Sequence, residues 1–211
     1  MKILAIDSTH GTCSAAFFNG EKVVSEIVEE MERGQAERLI PMIQKVLATA
    51  DVGFENIDSV AVTTGPGSFT GVRVGLAAAN GIALSANLPM IGVSVLDVLA
   101  WKTHRQFPEI KKLCLVLETK RDDYYVQYFE DGKSLTSPEV LPAKVIAEKK
   151  DFIFVGNAVG RLAEEIGSVS VLDVDMPSAR DVALFSVGLK AQKKYPEPLY
   201  LREAEVTLCR K

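Results

Sequence analysis

The run Gly-Pro-Gly-Ser-Phe-Thr-Gly-Val-Arg-Val-Gly at residues 65–75 joins a predicted strand, residues 59–64, to a predicted helix, residues 71–86. A glycine-rich turn before a helix can hold an anion, because its backbone N–H groups and the positive end of the helix dipole act together. The run lacks the Lys followed by Ser or Thr that a P-loop carries. The sequence therefore favours a tight turn, with Ser68 or Thr70 as the helix N-cap, over a phosphate site.

The predicted helix has small residues at four-residue spacing and one charged side chain, Arg73. A helix that is small or apolar around nearly its whole circumference is normally buried on all sides, whereas one lobe covers only one side. Together with a second amphipathic helix, residues 35–50, its uncovered side is a candidate protein interface. The alternative is that both helices are simply core.

Composition places the chain among soluble globular proteins of one or two domains. It has 211 residues, of which 47% are hydrophobic and 25% charged. The net charge of −4 argues against a protein that binds nucleic acid on its own, because phosphate neutralisation needs a basic surface. If RNA is involved, another subunit is expected to hold it.

Cysteine usage and hydropathy indicate the compartment. The three cysteines, Cys13, Cys114 and Cys209, are far apart and form no metal-binding or disulfide pattern, which fits a reducing cytoplasm. The most apolar run, residues 72–90, is interrupted by polar residues and a proline, so no membrane span is expected.

The order of predicted elements suggests two related α/β lobes. The first contains strands at residues 3–7, 13–18, 22–28, 59–64 and 90–95, with helices at 35–50, 71–86 and 96–104. The second contains strands at residues 113–118, 124–130 and 152–155, with helices from 157 and over 179–194. We place the lobes at residues 1–104 and 105–211, with the terminal segment as a candidate to pack back on the first lobe. Pro41 predicts that its helix is kinked or starts late, and residues 195–202 are expected to be extended.

Three groups of residues could carry chemistry. Asp7 ends the first strand, where actin-like and hexokinase-like kinases place a magnesium-coordinating aspartate, but the glycine expected two residues later is missing. An aspartate that caps the turn is favoured over a working nucleotide site. His10 and His104 have no ligand partner at helical spacing, and no Gly-x-Ser-x-Gly elbow occurs, which disfavours a zinc peptidase or serine hydrolase. The charged hairpin at residues 118–123 is expected to be solvated, or in a minority interpretation to contact a partner through Arg121.

Five segments together resemble the bacterial TsaB family, also called YeaZ. They are Ile-Leu-Ala-Ile-Asp at 3–7, Leu-Ile-Pro-Met-Ile at 39–43, the run at 65–75, Leu-Pro-Met-Ile-Gly-Val-Ser at 88–94, and Tyr-Leu-Arg at 200–202. The match covers nearly the full length in the same order. The resemblance also implies two departures from many relatives, Gln35 in place of a histidine and Glu118 in place of an aspartate. Both weaken the argument that a residual active site is present.

The resemblance implies an α/β, two-lobed actin-like/Hsp70-like ATPase (ASKHA) fold with a degenerate nucleotide site. It implies a non-catalytic partner of TsaD in forming N6-threonylcarbamoyladenosine at position 37 of tRNAs that read codons beginning with A. The chain would carry no catalytic, cofactor-binding or metal-binding residue of its own. TsaE would be a further partner, the chain alone would form a homodimer, tRNA would be reached only through the complex, and no membrane would be involved.

The resemblance also implies that the two helices of the first lobe form the interface. It carries over onto six positions: Leu39, Ile43, Val46, Val72, Leu76 and Ala79. The alternative is an ATP-dependent kinase or transferase of the same superfamily that acts alone, using Asp7 and the run at 65–75.

Overall fold

The computed structural model describes residues 1–167 and 169–201. The first half of the chain forms β1 (Ile3–Asp7), β2 (Thr12–Phe18), β3 (Val23–Glu30), α1 (Gln35–Thr49), β4 (Ser59–Thr63), α2 (Phe69–Ala86), β5 (Met90–Val93) and α3 (Val95–Gln106). The second half forms β6 (Lys112–Glu118), β7 (Asp123–Glu130), β8 (Lys133–Ser134), β9 (Glu139–Pro142), α4 (Ala143–Ile146), β10 (Ile153–Val155), α5 (Val159–Ile166) and α6 (Ala179–Ser186).

Each half contributes one five-stranded mixed sheet. The first has the order β3-β2-β1-β4-β5, in which β1, β2 and β3 form the predicted antiparallel meander and β4 and β5 run parallel to β1. The second has the order β10-β6-β7-β8, with β9 also paired to β7. The predicted α/β class is confirmed.

Strand β1 shows why the first sheet lies between helices. All five of its residues are buried. Since alternate side chains of a strand point to opposite faces, Leu4 and Ile6 pack in one cluster with α1 and α2. Ile3 and Ala5 pack in another cluster with α6. A strand covered on both faces reads as a continuous apolar run, as this one does.

The second sheet is covered by helices from both halves. Cys114 and Val116 of β6 pack with α4 and α5. Leu113 and Leu115 of the same strand pack with α3, which comes before the second sheet in the chain. Helix α6 belongs by sequence to the second half and packs on the first sheet, so the two halves exchange helices.

The segment after α6 closes the free edge of β5. Met90 and Gln192 exchange backbone hydrogen bonds of 2.7 and 2.8 Å, and Leu199 N donates to Thr64 O at 2.8 Å. Gly92 lies against Pro196 so closely that a Cβ at position 92 would be 2.6 Å from the Pro196 Cβ. Arg202, the last residue of the predicted extended tail, lies outside the described residues.

Two helices differ from the prediction. Helix α1 begins at Gln35 and contains Pro41, so the predicted late start is wrong, while the kink stays a prediction. Pro41 and Glu37 are both exposed, so water can solvate the Glu37 carbonyl that loses its hydrogen bond to the missing N–H. Helix α6 ends at Ser186 rather than near 194, two residues before Gly188, whose φ is 92°.

Helix α2 is the one helix of the described residues that is long and apolar enough, by length and composition alone, to cross a membrane. Seven of its residues are buried, and those that contact the first sheet include Leu76 and Ala79. Its other residues are partly or fully exposed, so α2 packs against the first sheet on one side only, as a surface helix of a globular protein does.

Candidate functional site

A cleft of about 940 Å³ lies where loops of the two halves meet. Its lining includes the loop that follows β1, the glycine-rich run, and the hairpin between β6 and β7. Residues from the start of α1 and the loop before it, Asn157, and residues 199–201 complete the lining. The structure therefore brings together the two segments from which the sequence would build a nucleotide site, and adds the charged hairpin opposite them.

Asp7, two residues before Thr9 of the cleft lining, is buried and only 1% exposed. Its Oδ1 accepts hydrogen bonds from the Thr9 hydroxyl at 2.7 Å and the Thr63 hydroxyl at 2.6 Å. Burial raises the pKa of this carboxyl above its ordinary value, although the two hydroxyls act in the opposite direction. The carboxylate is thus used inside the fold, as the turn-capping interpretation predicts.

His10 ties the same loop to the glycine-rich run. Its Nε2 donates to the Pro66 carbonyl at 2.8 Å, which places the proton on that nitrogen in the neutral ring. Burial lowers the His10 pKa, and the nearby Asp7 acts in the opposite direction. His10 is therefore a neutral structural donor near neutral pH.

The glycines of the run permit a close approach to the loop after β1. A Cβ at Gly71 would lie 1.9 Å from the Ser8 carbonyl oxygen, and one at Gly67 would lie 2.6 Å from the Thr9 carbonyl oxygen. Ser68 N donates to Thr9 O at 2.8 Å, and the Ser8 hydroxyl donates to Gly71 O at 2.8 Å. The Ser68 N–H therefore donates to a protein carbonyl, whereas the N–H groups of a phosphate loop donate to the ligand.

The predicted N-cap of α2 is Ser68. Its hydroxyl oxygen accepts a hydrogen bond from Gly71 N, whereas Thr70 lies inside the helix. The tight-turn interpretation of the run is confirmed, because its polar groups serve the turn and the helix start.

The hairpin on the other side of the cleft is held by Arg161. This guanidinium donates to the carbonyls of Arg121 and Asp123, and forms an ion pair of 3.2 Å with Glu118. It also lies 4.1 Å from the ring centroid of Tyr124. Glu118, one of the two positions at which the resemblance implies a departure from relatives, is therefore paired within the protein.

Arg161 was missed by sequence reasoning, although one signal was available. It lies in the first turn of α5. A cation in the first turn of a helix opposes the helix dipole, so an arginine there indicates a specific partner elsewhere.

Aromatic and cationic side chains form a cluster at the cleft mouth, from Phe69, Arg73 and Tyr200. The Arg73 guanidinium lies 3.6 Å from the Phe69 ring centroid, and its Nε donates to the Tyr200 hydroxyl at 2.8 Å. Phe69 is 50% exposed and Tyr200 47%. Arg73 therefore holds both aromatic rings in place, while about half of each residue's surface remains accessible to solvent.

The six predicted interface side chains lie on the inner faces of α1 and α2. None is more than 5% exposed, and all belong to the cluster under the first sheet: Leu39, Ile43, Val46, Val72, Leu76 and Ala79. Within the chain, these small and apolar residues pack against the strands of the first sheet, and their role in an interface stays a prediction. The outward faces of the same helices carry other residues: Ile40, Pro41, Gln44, Ala77, Gly81 and Leu84. That these two helices form an interface stays a prediction.

Metal-binding residue types are scattered. Across residues 1–167 and 169–201, no three side chains of histidine, cysteine, aspartate or glutamate come together as a possible metal site. Cys13 and Cys114 are buried and unpaired, and Cys209 lies outside the described residues.

The chain resembles known proteins over nearly its full length. The family model of TsaD, tRNA N6-adenosine threonylcarbamoyltransferase, matches residues 22–195. The tRNA threonylcarbamoyladenosine biosynthesis protein TsaB of Escherichia coli K12 is 31% identical over 221 residues, covering 96% of this chain and 95% of that protein.

Solved structures agree with these matches. YeaZ from Pseudomonas aeruginosa superimposes with a TM-score of 0.81 at 25% identity, covering 95% of this chain and 99% of that one. The activator of 2-hydroxyisocaproyl-CoA dehydratase from Clostridium difficile, solved with bound ADPNP, superimposes at 0.51 with 14% identity, covering 88% and 94%. The second likeness shows the fold alone.

Proposed function

This chain belongs to the TsaB family of tRNA threonylcarbamoyladenosine biosynthesis proteins, and from that membership we propose that it is a non-catalytic partner of TsaD. TsaD would carry out the transfer that forms N6-threonylcarbamoyladenosine at position 37 of tRNAs reading codons that begin with A. TsaE would join the same assembly. A cytoplasmic location follows from this pathway.

One observation carries the proposal, the engagement of Asp7. Its Oδ1 accepts two threonine hydroxyls and the side chain is 1% exposed, so it has no accessible oxygen for a hydrated magnesium ion. The glycine-rich run packs against the loop that carries it. In this chain, the Asp7 carboxyl and the glycine-rich run therefore make contacts within the protein. This arrangement suits a structural partner better than an enzyme that binds a nucleotide.

The outward faces of α1 and α2 are the surface we propose for TsaD. Ala77 and Gly81 expose a small-residue ridge on α2, beside the 70% exposed Leu84. Small residues allow a partner helix to approach closely, and an apolar patch of this kind is typical of a protein interface. In the absence of TsaD, the same surface would pair two copies of this chain.

The test is reconstitution with TsaD from the same organism. The purified chain is mixed with TsaD and the product is sized. Threonylcarbamoyladenosine is then measured on an unmodified tRNA with TsaE, ATP and the threonylcarbamoyl donor present. We expect a stable complex and modification that depends on this chain. Asp7→Asn should support both as well as the unaltered chain does, whereas a chain that forms no complex contradicts the proposal.

The competing function, an ATP-dependent kinase or transferase acting alone, is favoured by the cleft between the two halves. Calorimetric titration of the isolated chain with Mg-ATP separates the two. We expect no saturable heat. Tight binding that Asp7→Asn abolishes would support the kinase instead.

A further inference from the structure

We propose that the cleft between the two halves contacts a strand of tRNA, binding its phosphates and stacking on an unpaired base, when this chain is joined to TsaD. The inference rests on the proposed function and adds a direct role for this chain in holding the substrate.

Charge is the first support. Among the described residues, Arg33, Arg73 and Lys120 line the cleft and form no ion pair with a carboxylate. Of the two acids in the lining, Glu118 is paired with Arg161, which leaves Glu32. Cations without carboxylate partners thus outnumber such acids here, in a chain whose net charge is −4. A local excess of positive charge in an acidic protein favours an anionic ligand.

Flat surfaces are the second support. Phe69 and Tyr200 are about half exposed at the cleft mouth, with ring centroids 5.7 Å apart, and Arg73 lies against Phe69. Unpaired RNA bases stack on aromatic rings and on guanidinium planes. Proteins that bind single-stranded RNA combine cations, which contact the phosphates, with exposed rings, on which a base stacks. An acidic peptide would contact the cations but not the rings.

Rigidity is the third support. Arg161 holds the hairpin through the carbonyls of Arg121 and Asp123 and the Glu118 carboxylate. Lys120, within the hairpin, has a φ of 61°. Lys120 is exposed, on a turn whose backbone Arg161 holds in place. A lysine on a backbone that is already held loses less backbone freedom on binding a phosphate than one on a loose loop.

The overall charge explains why this contact belongs to the complex. A net −4 repels RNA at long range, so the cleft alone is too small a basic surface to hold tRNA. TsaD would supply most of the affinity, and the cleft would orient one strand.

The experiment measures tRNA affinity of the TsaD complex as a function of salt, using an unmodified transcript. We expect the double variant Arg33→Ala, Lys120→Ala to weaken binding and to reduce the slope of log K against log salt by about 1.4, which is about 0.7 for each of the two lost phosphate contacts on a single strand. Phe69→Ala should weaken binding without changing the slope. The matched control, Lys144→Ala with Lys150→Ala, removes the same charge from exposed positions outside the cleft and should change neither.

The outcomes are separable. If the unaltered chain forms no complex with TsaD, the proposed function fails and this inference fails with it. If the complex forms but the cleft variant binds tRNA with unchanged slope, or the control shifts it equally, only the inference is overturned. Loss of TsaD binding in the cleft variant would make the cleft a protein contact, and saturable Mg-ATP binding lost in that variant would make it a nucleotide site. Either result also overturns the inference.

Discussion

Asp7 illustrates at the scale of one residue how position and availability differ. It stands at the end of the first strand, where the sequence alone leaves a nucleotide site as an alternative, yet two threonine hydroxyls donate to its Oδ1. The sequence could predict a turn-capping role from the missing glycine. It could not predict Thr63 as a partner, because that residue is 56 positions away and meets Asp7 only through the pairing of β1 with β4.

The buried carboxyl gives a pH-dependent stability. Because the folded-state pKa of Asp7 is raised from 3.8, the folded chain binds more protons than the unfolded chain just above that pH. Stability contributed by protonated Asp7 is therefore full below pH 3.8 and is lost as pH rises through the folded pKa. Asp7→Asn keeps an oxygen for both hydroxyls and removes the titration.

We expect the free energy of unfolding of Asp7→Asn, relative to the unaltered chain, to increase from pH 3.5 to pH 7, as measured by urea denaturation. Because burial lowers the His10 pKa, the stability that neutral His10 contributes is present at neutral pH and is lost in acid. Asp7→Asn removes the opposing charge of Asp7, so this loss is larger in the variant and changes the difference in the same direction. Asp122→Asn, at an exposed position, is the control and should show a flat difference. A flat difference for Asp7→Asn too would show that Asp7 titrates normally.

Two glycines of α2 allow the stability effect of a close contact to be distinguished from the effect of helix propensity. Gly71→Ala would place a methyl group 1.9 Å from the Ser8 carbonyl oxygen, so backbone must shift, and we expect a loss of about 2 to 4 kcal/mol in unfolding free energy. Gly81→Ala meets no atom within 4 Å and should stabilise the chain by about 0.5 to 1 kcal/mol. Thermal and urea unfolding of the two variants checks the signs. Equal effects would mean that the run does not pack on the loop as described.

Among the elements, periodicity located α1 and α2 but did not show which of their residues face outward. Helices α1 and α2 lie where the apolar spacing places them. A ridge of small residues such as Gly75 and Ala79 is suitable both for a partner helix and for a close sheet, and the sequence does not decide between them. The structure does: a Cβ at Gly75 would be 2.7 Å from the Ser8 hydroxyl.

Adjacent residues of α2 therefore have opposite predicted roles. Leu76→Arg would bury an unpaired charge where the native side chain is 5% exposed, and should cost more than about 3 kcal/mol of stability. Ala77→Arg, on the exposed face, should leave the free energy of unfolding within about 0.5 kcal/mol while abolishing the TsaD complex. Denaturation of each variant and sizing with TsaD give both readouts. A folded Ala77→Arg chain that still binds TsaD would remove α2 from the proposed interface.

At the scale of the whole molecule, the exchange of helices is the feature that a sequence cannot reveal. Two α/β halves followed from the repeated order of strands and helices. That α3 covers the second sheet and α6 the first depends on contacts between distant parts of the chain. No local pattern encodes such contacts, and the boundary at 104 and 105 stays a prediction, near the end of α3 at Gln106.

The exchanged helices also contact each other, so we expect the two halves to unfold as one unit. Lys102 of α3 forms an ion pair of 3.0 Å with Asp181 of α6, and both side chains are 15% exposed. Beside them Trp101, the single tryptophan of the chain, packs edge to face on Phe185 with centroids 5.9 Å apart. Tryptophan fluorescence therefore reports on the junction, and far-UV circular dichroism on the whole molecule.

We expect the two signals of the unaltered chain to coincide during urea unfolding, because neither half keeps a complete core without the helix of the other. Lys102→Met leaves Asp181 largely buried without its cation and should cost about 1 to 3 kcal/mol, with the two signals still coincident. Lys190→Met, at an exposed position, is the control and should have no effect. A fluorescence transition that precedes the dichroism transition in the unaltered chain would show that the halves unfold separately, and the exchanged helices would then contribute little to the cooperativity of the fold.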